Sequence, residues 1–168
     1  DQDAFAKLSG DYNKLHIAEV AARRYLFGGL VVHGTHLLLS ALDKWLEASE
    51  GSLELVSLKA DFMKGLRVGD SVRSRLIMDE KDRAELELYE EDQVYASIKV
   101  KCKVRKVKTA EDLNFQSPPI KDCKVVPFEE LAHASGELEL YLEKGAAAVL
   151  FPNLVKRLPL IQIAEILA

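Results

Sequence analysis

The stretch from Asp11 to His16 places a carboxylate, an amide, an amine and an imidazole within six residues, directly after Gly10. A carboxylate and an imidazole that converge on one water can transfer protons, because one group accepts a proton while the other donates one. Asp11 and His16 are therefore a candidate acid/base pair. The alternative is structural, since Gly-Asp-x-Asn also favours turns and helix caps. Taken alone, this stretch leaves both interpretations open.

Two neighbouring residues would shape such a loop. Gly10 can adopt a positive φ, which lets the backbone reverse beside Asp11. Asn13 carries a short amide that can bond to nearby backbone groups. With Leu15 anchored in the core, we expect Asp11 and His16 to lie at the two ends of a constrained loop and to point at one place.

A second feature is Gly34 in "VVHGTH", at the start of a helix predicted from about His33 to Ala48. The first turn of a helix carries free backbone N–H groups and the positive end of the helix dipole. A glycine there lets a ligand approach the backbone closely. The N–H of Gly34 could therefore bind a substrate carbonyl oxygen and stabilise a developing enolate.

The histidines also raise a metal site as an alternative. His33 and His36 have the i, i+3 spacing of helical metal ligands, and His16 would be the third ligand. The sequence shows no suitable acidic or cysteine partner, so we predict that no metal binds. His33 is then interpreted as a structural residue at the helix start, and His36 as a packed polar residue.

Four strand-like segments follow the predicted long helix. The clearest is "QVYASIKVKCKVRKV", in which apolar and polar residues alternate with the period of a strand that has one buried face. The residues predicted to face the core are Val94, Ala96, Ile98, Val100, Cys102 and Val104. Such a sheet needs a cover, and the long apolar helix is the large candidate. The sequence therefore predicts an α+β fold with a curved antiparallel sheet wrapped around a long central helix.

The outward faces of the last two strands carry opposite charges. Cross-strand ion pairs would explain this pattern, and each would contribute a fraction of a kcal/mol. A basic rim for a phosphorylated ligand is the alternative. The residues concerned are Glu85, Glu87 and Glu91 on one side and Lys99, Lys101 and Lys103 on the other.

The bulk composition excludes several classes of protein. The 168 residues are 48% hydrophobic and 30% charged, which suits a globular chain rather than a disordered one. The formal net charge of −4 argues against nucleic-acid binding. No apolar run approaches the roughly 20 residues that span a membrane, and no secretion signal is evident. With only Cys102 and Cys123, far apart, we expect no disulfide framework and a cytoplasmic location.

Residues 4–106 resemble a known family. "FAKLSGDYNKLH" followed by "YLFGGLVVHGTHLLLSAL" is similar to the signature of the MaoC-like, (R)-specific enoyl-CoA hydratases, also called hydratase 2. "LRVGDSVRSRL" resembles the Val-Gly-Asp turn between sheet strands of that family. The resemblance implies a hot-dog fold, which agrees with the helix and sheet inferred above.

The resemblance also implies residue roles. Asp11 and His16 match the catalytic acid/base pair, and Gly34 matches the residue whose N–H binds the thioester carbonyl. Asn13 matches the asparagine that shapes the loop. Ser52 lies near a position where some members have a serine beside the active site.

The main departure from the family pattern is Lys14, where the family usually has proline. A lysine frees φ at this position and loosens the loop. It would also disfavour protonation of Asp11 if its side chain turned inward. We expect Lys14 to point to solvent.

The implied activity is the reversible hydration of a trans-2-enoyl thioester to an (R)-3-hydroxyacyl thioester. No metal or redox cofactor is implied, since CoA or an acyl carrier arm is part of the substrate. The rival is a hot-dog protein without hydratase activity, either a thioester-binding assembly subunit or a thioesterase. Thioesterases of this fold usually carry their carboxylate on the central helix, where this chain has Asp43 and Glu47 only near the end. Exposed sheet edges further predict a homodimer or a pseudo-dimer.

The chain divides into a predicted MaoC-like domain at 1–108 and a linker with a C-terminal extension at 109–168. Paired prolines and the loss of periodicity mark the linker. An aromatic residue, a turn and an apolar helix at the end faintly repeat the first half. The extension is therefore either the start of a second hot-dog unit or a segment that packs on the first.

Overall fold

The computed structural model describes residues 2–25, 27–105 and 142–168. Four helices precede the strands: α1 Gln2–Ser9, α2 Lys14–Ile17, α3 Glu19–Ala22 and α4 Gly34–Leu46. The strands are β1 Leu53–Phe62, β2 Arg73–Glu80, β3 Arg83–Glu90 and β4 Gln93–Val104. Three helices follow: α5 Lys144–Leu150, α6 Pro152–Arg157 and α7 Leu160–Leu167. None of the helices in the described ranges has the length and apolarity needed to cross a membrane.

The four strands form one antiparallel sheet in the order β1-β4-β3-β2. The predicted alternation of β4 is observed, since Ala96, Ile98, Val100 and Cys102 are all buried. Val104 differs from the prediction and is 64% exposed. It is the last residue of β4, where the strand runs out of neighbours that could cover it.

The core forms where α4 packs on the buried face of the sheet. Leu39 and Leu42 of α4 join one apolar cluster with Leu86 of β3 and Ile98 of β4. This arrangement confirms the predicted α+β architecture of an antiparallel sheet covered by the long helix. The helix is slightly shorter than predicted.

The apolar spacing of "IAEVAARRYL" predicts one helix, whereas the described part of this segment contains the short α3 and only the last residue of α2, Ile17. Ala18 separates them with an extended backbone, at φ −118° and ψ 95°. The apolar spacing of this segment favours a helix, but the break at Ala18 lets α2 carry His16 independently of α3.

The outward charges form ion pairs, although only one is the predicted pair. Lys99 Nζ lies 3.1 Å from Glu85 Oε1, as expected. Glu87 instead binds Arg75 of β2, because the register of β3 and β4 sets Ser97 opposite Glu87. The register of β1 and β4 likewise sets Lys103 opposite Glu54, and their charged groups lie 3.0 Å apart. Exposed pairs of this kind contribute about 0–1 kcal/mol each.

Polar contacts as well as the apolar core join the C-terminal helices to the first 105 residues. Asp43 of α4 accepts hydrogen bonds from the backbone N–H groups of Asn153 and Leu154, both at 2.8 Å, at the start of α6. The side-chain amide of Gln162 in α7 bonds both the N–H and the carbonyl of Leu55 on the edge of β1. The predicted linker, Cys123 and a short helix predicted over "FEELAHAS" lie outside the described residues.

We predict that Asp43→Asn lowers the free energy of unfolding by about 1–2 kcal/mol, because the amide is a weaker acceptor for the free N–H groups of α6. Chemical denaturation measures the change. Asp82→Asn is the matched control, since the exposed side chain of Asp82 makes no such cap. Equal stability of the two variants would contradict a capping role for Asp43.

Candidate active site

The loop that carries Asp11 begins where Gly10 ends α1. Gly10 has a φ of 74°, which favours glycine, and its N–H donates to the carbonyl of Ala6 at 2.9 Å. The chain then turns so that the N–H of Asp11 donates to Ser9 Oγ at 3.2 Å. The side chain of Asp11 is half-exposed beside the start of α4.

Asp11 and Asn13 both make the local bonds that the structural interpretation expects. Asp11 Oδ1 accepts the N–H of Asn13 at 3.0 Å, and Asn13 Oδ1 accepts the N–H of Leu15 at 3.0 Å as the N-cap of α2. The second carboxylate oxygen of Asp11, Oδ2, lies 3.8 Å from Nε2 of His33. Turn formation therefore uses one oxygen of Asp11, and the other faces the histidines.

His16 is oriented by the backbone of the segment that precedes α4. Its Nδ1 lies 2.7 Å from the carbonyl of Val31, so Nδ1 carries the proton and donates it. In the neutral ring Nε2 then has the lone pair and can accept a proton. Val31 is itself held, because its N–H donates to Leu15 and it forms an antiparallel bridge with Arg67.

His33 is the residue that sequence reasoning did not place in the site. It is the N-cap residue of α4, is 2% exposed, and stacks on the His16 ring with 3.9 Å between ring centroids. Burial lowers the pKa of His33, and the main-chain carbonyl of Asp11 beside Nε2 opposes this because it favours the protonated ring. The sequence feature that could have placed His33 in the site is its position directly before Gly34.

Asp11, His16 and His33 form one cluster, in which one polar side-chain atom of each lies within 4.8 Å of the others. A water that makes two hydrogen bonds of about 2.8 Å can bridge groups at this separation. The cluster supplies the acidic partner that the sequence did not reveal for a metal site. That no metal binds stays a prediction.

Gly34 is the first residue of α4, so its N–H has no partner within the helix. A Cβ at this position would lie 3.3 Å from the ring of Phe62, at the end of β1. The glycine thus allows Phe62 to close one wall of a groove. His16 and Gly34 both line that groove.

The groove has a volume of about 560 Å³ and a mainly apolar wall. Lys64 is the charged residue along it. Gly65 lets the ring of Phe27 pack closely on this wall, since a Cβ there would lie 2.7 Å from that ring. The apolar residues that line the groove include Leu15, Phe27, Val31, Val32, Leu37 and Phe62.

Two other residues named from the sequence lie elsewhere. Ser52 precedes β1 at the end opposite Phe62, about 30 Å away along an extended strand. The structure therefore does not bring Ser52 to the groove. Lys14, at the start of α2, is exposed, as expected for a side chain that points to solvent.

His36 does not join the cluster. Its ring stacks flat on Phe5 at 4.5 Å and meets Phe151 edge-on, while Nδ1 lies 3.3 Å from the amide nitrogen of Gln2. It is therefore a packed polar residue, as the sequence suggested. Burial lowers the pKa of His36 to about 4, and the neighbouring His33 has a smaller effect in the same direction.

We predict that the neutral His36 ring makes stability depend on pH. Its folded pKa lies below the unfolded value, so the unfolded chain binds the extra proton and stability is lost as the pH falls from 6.5 towards 4. His36→Phe keeps the stacking and removes the titration. Denaturation at pH 7 and pH 4.5 should show a loss about 1–2 kcal/mol smaller in the variant than in the wild type. Equal losses would contradict the prediction.

Comparison with solved structures shows the fold. The (R)-hydratase from A. caviae involved in PHA biosynthesis is 22% identical with a TM-score of 0.50, over 61% of this chain and 84% of that one. A monoamine oxidase regulatory protein from Archaeoglobus fulgidus is 18% identical with a TM-score of 0.50, over 63% and 82%. The protein af1124 from the same organism is 31% identical with a TM-score of 0.49, over 61% and 68%. The first two of these structures confirm the hot-dog fold expected from the sequence.

Comparison with curated proteins finds no match. A family model described as "MaoC like domain" matches residues 1–100. These residues include the loop of Asp11, the start of α4 and most of the sheet. This match spans more than half of the chain and contains every residue of the cluster. The chain therefore belongs to the MaoC-like family of hot-dog proteins.

Proposed function

We propose that the protein catalyses the reversible hydration of a trans-2-enoyl thioester to an (R)-3-hydroxyacyl thioester. One observation carries the proposal. Polar atoms of Asp11 and His16 lie within 4.8 Å of each other, and the groove that His16 lines also contains the first residue of α4, Gly34. The family resemblance supports the choice of reaction and its stereochemistry.

The chemistry needs two proton transfers and one oxyanion site. A water between Asp11 and His16 loses a proton to one of them as its oxygen bonds to the β-carbon of the substrate. The electron pair of the double bond moves towards the thioester, and the carbonyl oxygen of the thioester becomes the enolate oxygen. The N–H of Gly34 donates to that oxygen. The other member of the pair carries a proton at the start of the step and delivers it to the α-carbon, and the proton taken from the water then restores it, which completes the addition of water.

The groove fits the rest of such a substrate. Its apolar wall can hold the acyl chain, and Lys64 offers a cation that a phosphorylated carrier arm could contact. CoA or an acyl carrier is part of the substrate in this proposal, and no separate cofactor takes part. The substrate is therefore a thioester whose acyl end enters between α4 and Phe62.

The rival functions fit the structure less well. A thioesterase of this fold would use a carboxylate on the central helix, but Asp43 is engaged with the start of α6 and Glu47 binds Lys44 at the surface. A subunit that only binds thioesters has no need of the acid/base pair. The placement of Asp11 and His16 therefore favours hydration.

We also propose that the protein pairs with a second copy of itself. β1 and β2 are the two edges of the sheet, and the edges carry exposed apolar side chains at Val56, Leu76 and Ile77. The edge of β2 favours association with another strand, whereas Gln162 already binds the edge of β1 at Leu55.

The hydration assay is the direct test. With crotonyl-CoA as substrate, we expect loss of the enoyl absorbance, and we expect Asp11→Asn and His16→Gln each to lower kcat about 100-fold or more. Asp92→Asn, on an exposed turn, is the control and should match the wild type. The absence of turnover by the wild type, or full activity of both variants, would overturn the proposal. Release of free CoA would indicate a thioesterase instead.

A second prediction concerns the oxyanion site. Gly34→Ala should lower kcat/KM about 10-fold, because its methyl group meets Phe62 and displaces substrate from the N–H donor. In a Phe62→Leu background the same change should cost less than about 3-fold, since the contact is gone. Thermal unfolding serves as the check on folding. Equal losses in both backgrounds would show that crowding against Phe62 is not the cause.

A further inference from the structure

Behind the acid/base pair, the two ring nitrogens of His33 both face oxygen atoms. Nδ1 lies 2.6 Å from Oε1 of Gln2, and Nε2 lies 3.1 Å from the main-chain carbonyl of Asp11. The backbone N–H of His33 also donates to Oε1 of Gln2, at 3.3 Å. Gln2 is the first residue of α1 and therefore links that helix to the start of α4.

The amide of Gln2 determines which nitrogen of His33 carries the proton. Its Nε2 lies 3.3 Å from Nδ1 of His36, and an amide nitrogen can only donate, so His36 accepts there. The amide oxygen then faces His33 and accepts from Nδ1. A neutral His33 consequently has its lone pair on Nε2, which faces the oxygen atoms of Asp11.

Protonation of Nε2 would change the contact with Asp11 from unfavourable to favourable. A lone pair against a carbonyl oxygen gains nothing, whereas an N–H donates a hydrogen bond to it. The same proton would attract Asp11 Oδ2 at 3.8 Å. Opposing this, the buried ring resists charge, and the stacked ring of His16 would repel it when charged. His36 on α4 also adds repulsion whenever it is protonated, while Phe5 of α1 adds no charge.

We propose that Gln2 and His33 are positioning residues for the hydration site. Gln2 holds the His33 ring through Nδ1, and the face of that ring supports the ring of His16. The catalytic part of this inference rests on the proposed hydration.

The test compares two methionine variants on one helix. Gln2→Met removes the oxygen and nitrogen of the side chain at similar length, and Lys7→Met changes the exposed face of α1. We expect Gln2→Met to lower kcat for crotonyl-CoA hydration about 10-fold with KM within 2-fold, by analogy with the loss of other partners that orient a histidine. Lys7→Met should match the wild type.

Nitrogen-15 NMR of the imidazoles separates positioning from general damage. With the His33 signals assigned through a His33→Gln variant, the wild type should show the proton of the neutral ring on Nδ1, and Gln2→Met should shift it towards Nε2. Gln2→Glu keeps the acceptor oxygen, so kcat should return to within about 3-fold of the wild type. Its carboxylate should raise the pH at which His33 titrates, because a nearby negative charge favours the imidazolium.

The outcomes are distinct. If Gln2→Met has the kcat and the His33 spectrum of Lys7→Met, the positioning proposal is wrong. A wild type without hydration turnover would contradict the proposed function, yet the NMR comparison would still test the coupling of Gln2 to His33. A loss of activity in Gln2→Met and Gln2→Glu alike, with unchanged His33 tautomers, would indicate a merely structural role and overturn the proposal.

Discussion

The packing of α4 on the buried face of the sheet is the constraint on which the site depends. Leucines of α4 fill the concave side of the strands, and this burial fixes where the helix begins as well as where it lies. Its first residue, Gly34, consequently meets Phe62 at the far end of β1. The packing of α4 on the sheet therefore positions both the free N–H of Gly34 and the apolar wall formed by Phe62.

Asp11 and His16 show that local structure and chemistry can use the same residues. One oxygen of Asp11 closes a turn and the other faces the histidines, while Nδ1 of His16 is bound to a carbonyl and its Nε2 stays able to accept a proton. A turn that holds its carboxylate by a backbone N–H limits the motion of that group. The structural and the functional interpretation of the loop are therefore compatible, and the turn is part of how the acid is positioned.

The stacked pair of His16 and His33 adds an electrostatic condition. Two imidazoles 3.9 Å apart cannot both be charged without strong repulsion, and burial favours the neutral form of His33. A positive charge formed on His16 then lies beside a neutral ring, which repels it less than a second cation would. Asp11 lies close to both rings, so the three groups form one cluster.

The sequence by itself determined much of the fold. The period-two pattern of β4 and the apolar face of α4 leave few alternatives to a helix-covered antiparallel sheet, because each burial pattern needs a partner. The loop motif and the helix start also predicted Asp11, His16 and Gly34 as candidate site residues, and the structure places Asp11 beside His16 and lines one groove with His16 and Gly34. It could not show that Ser52 lies at the other end of β1, since that depends on strand length and direction in space.

Tertiary structure alone decided the contacts between segments that are distant in the chain. Gln2 reaches His33 across 31 residues, and Asp11 reaches it across 22. Nothing in local spacing predicts such contacts, because they follow from how α1 docks against α4. The same holds for the ion pairs of the sheet, where the register of the strands, rather than the charge pattern, selected the partners. The sequence supplied the reactive groups, and packing determined which of them meet.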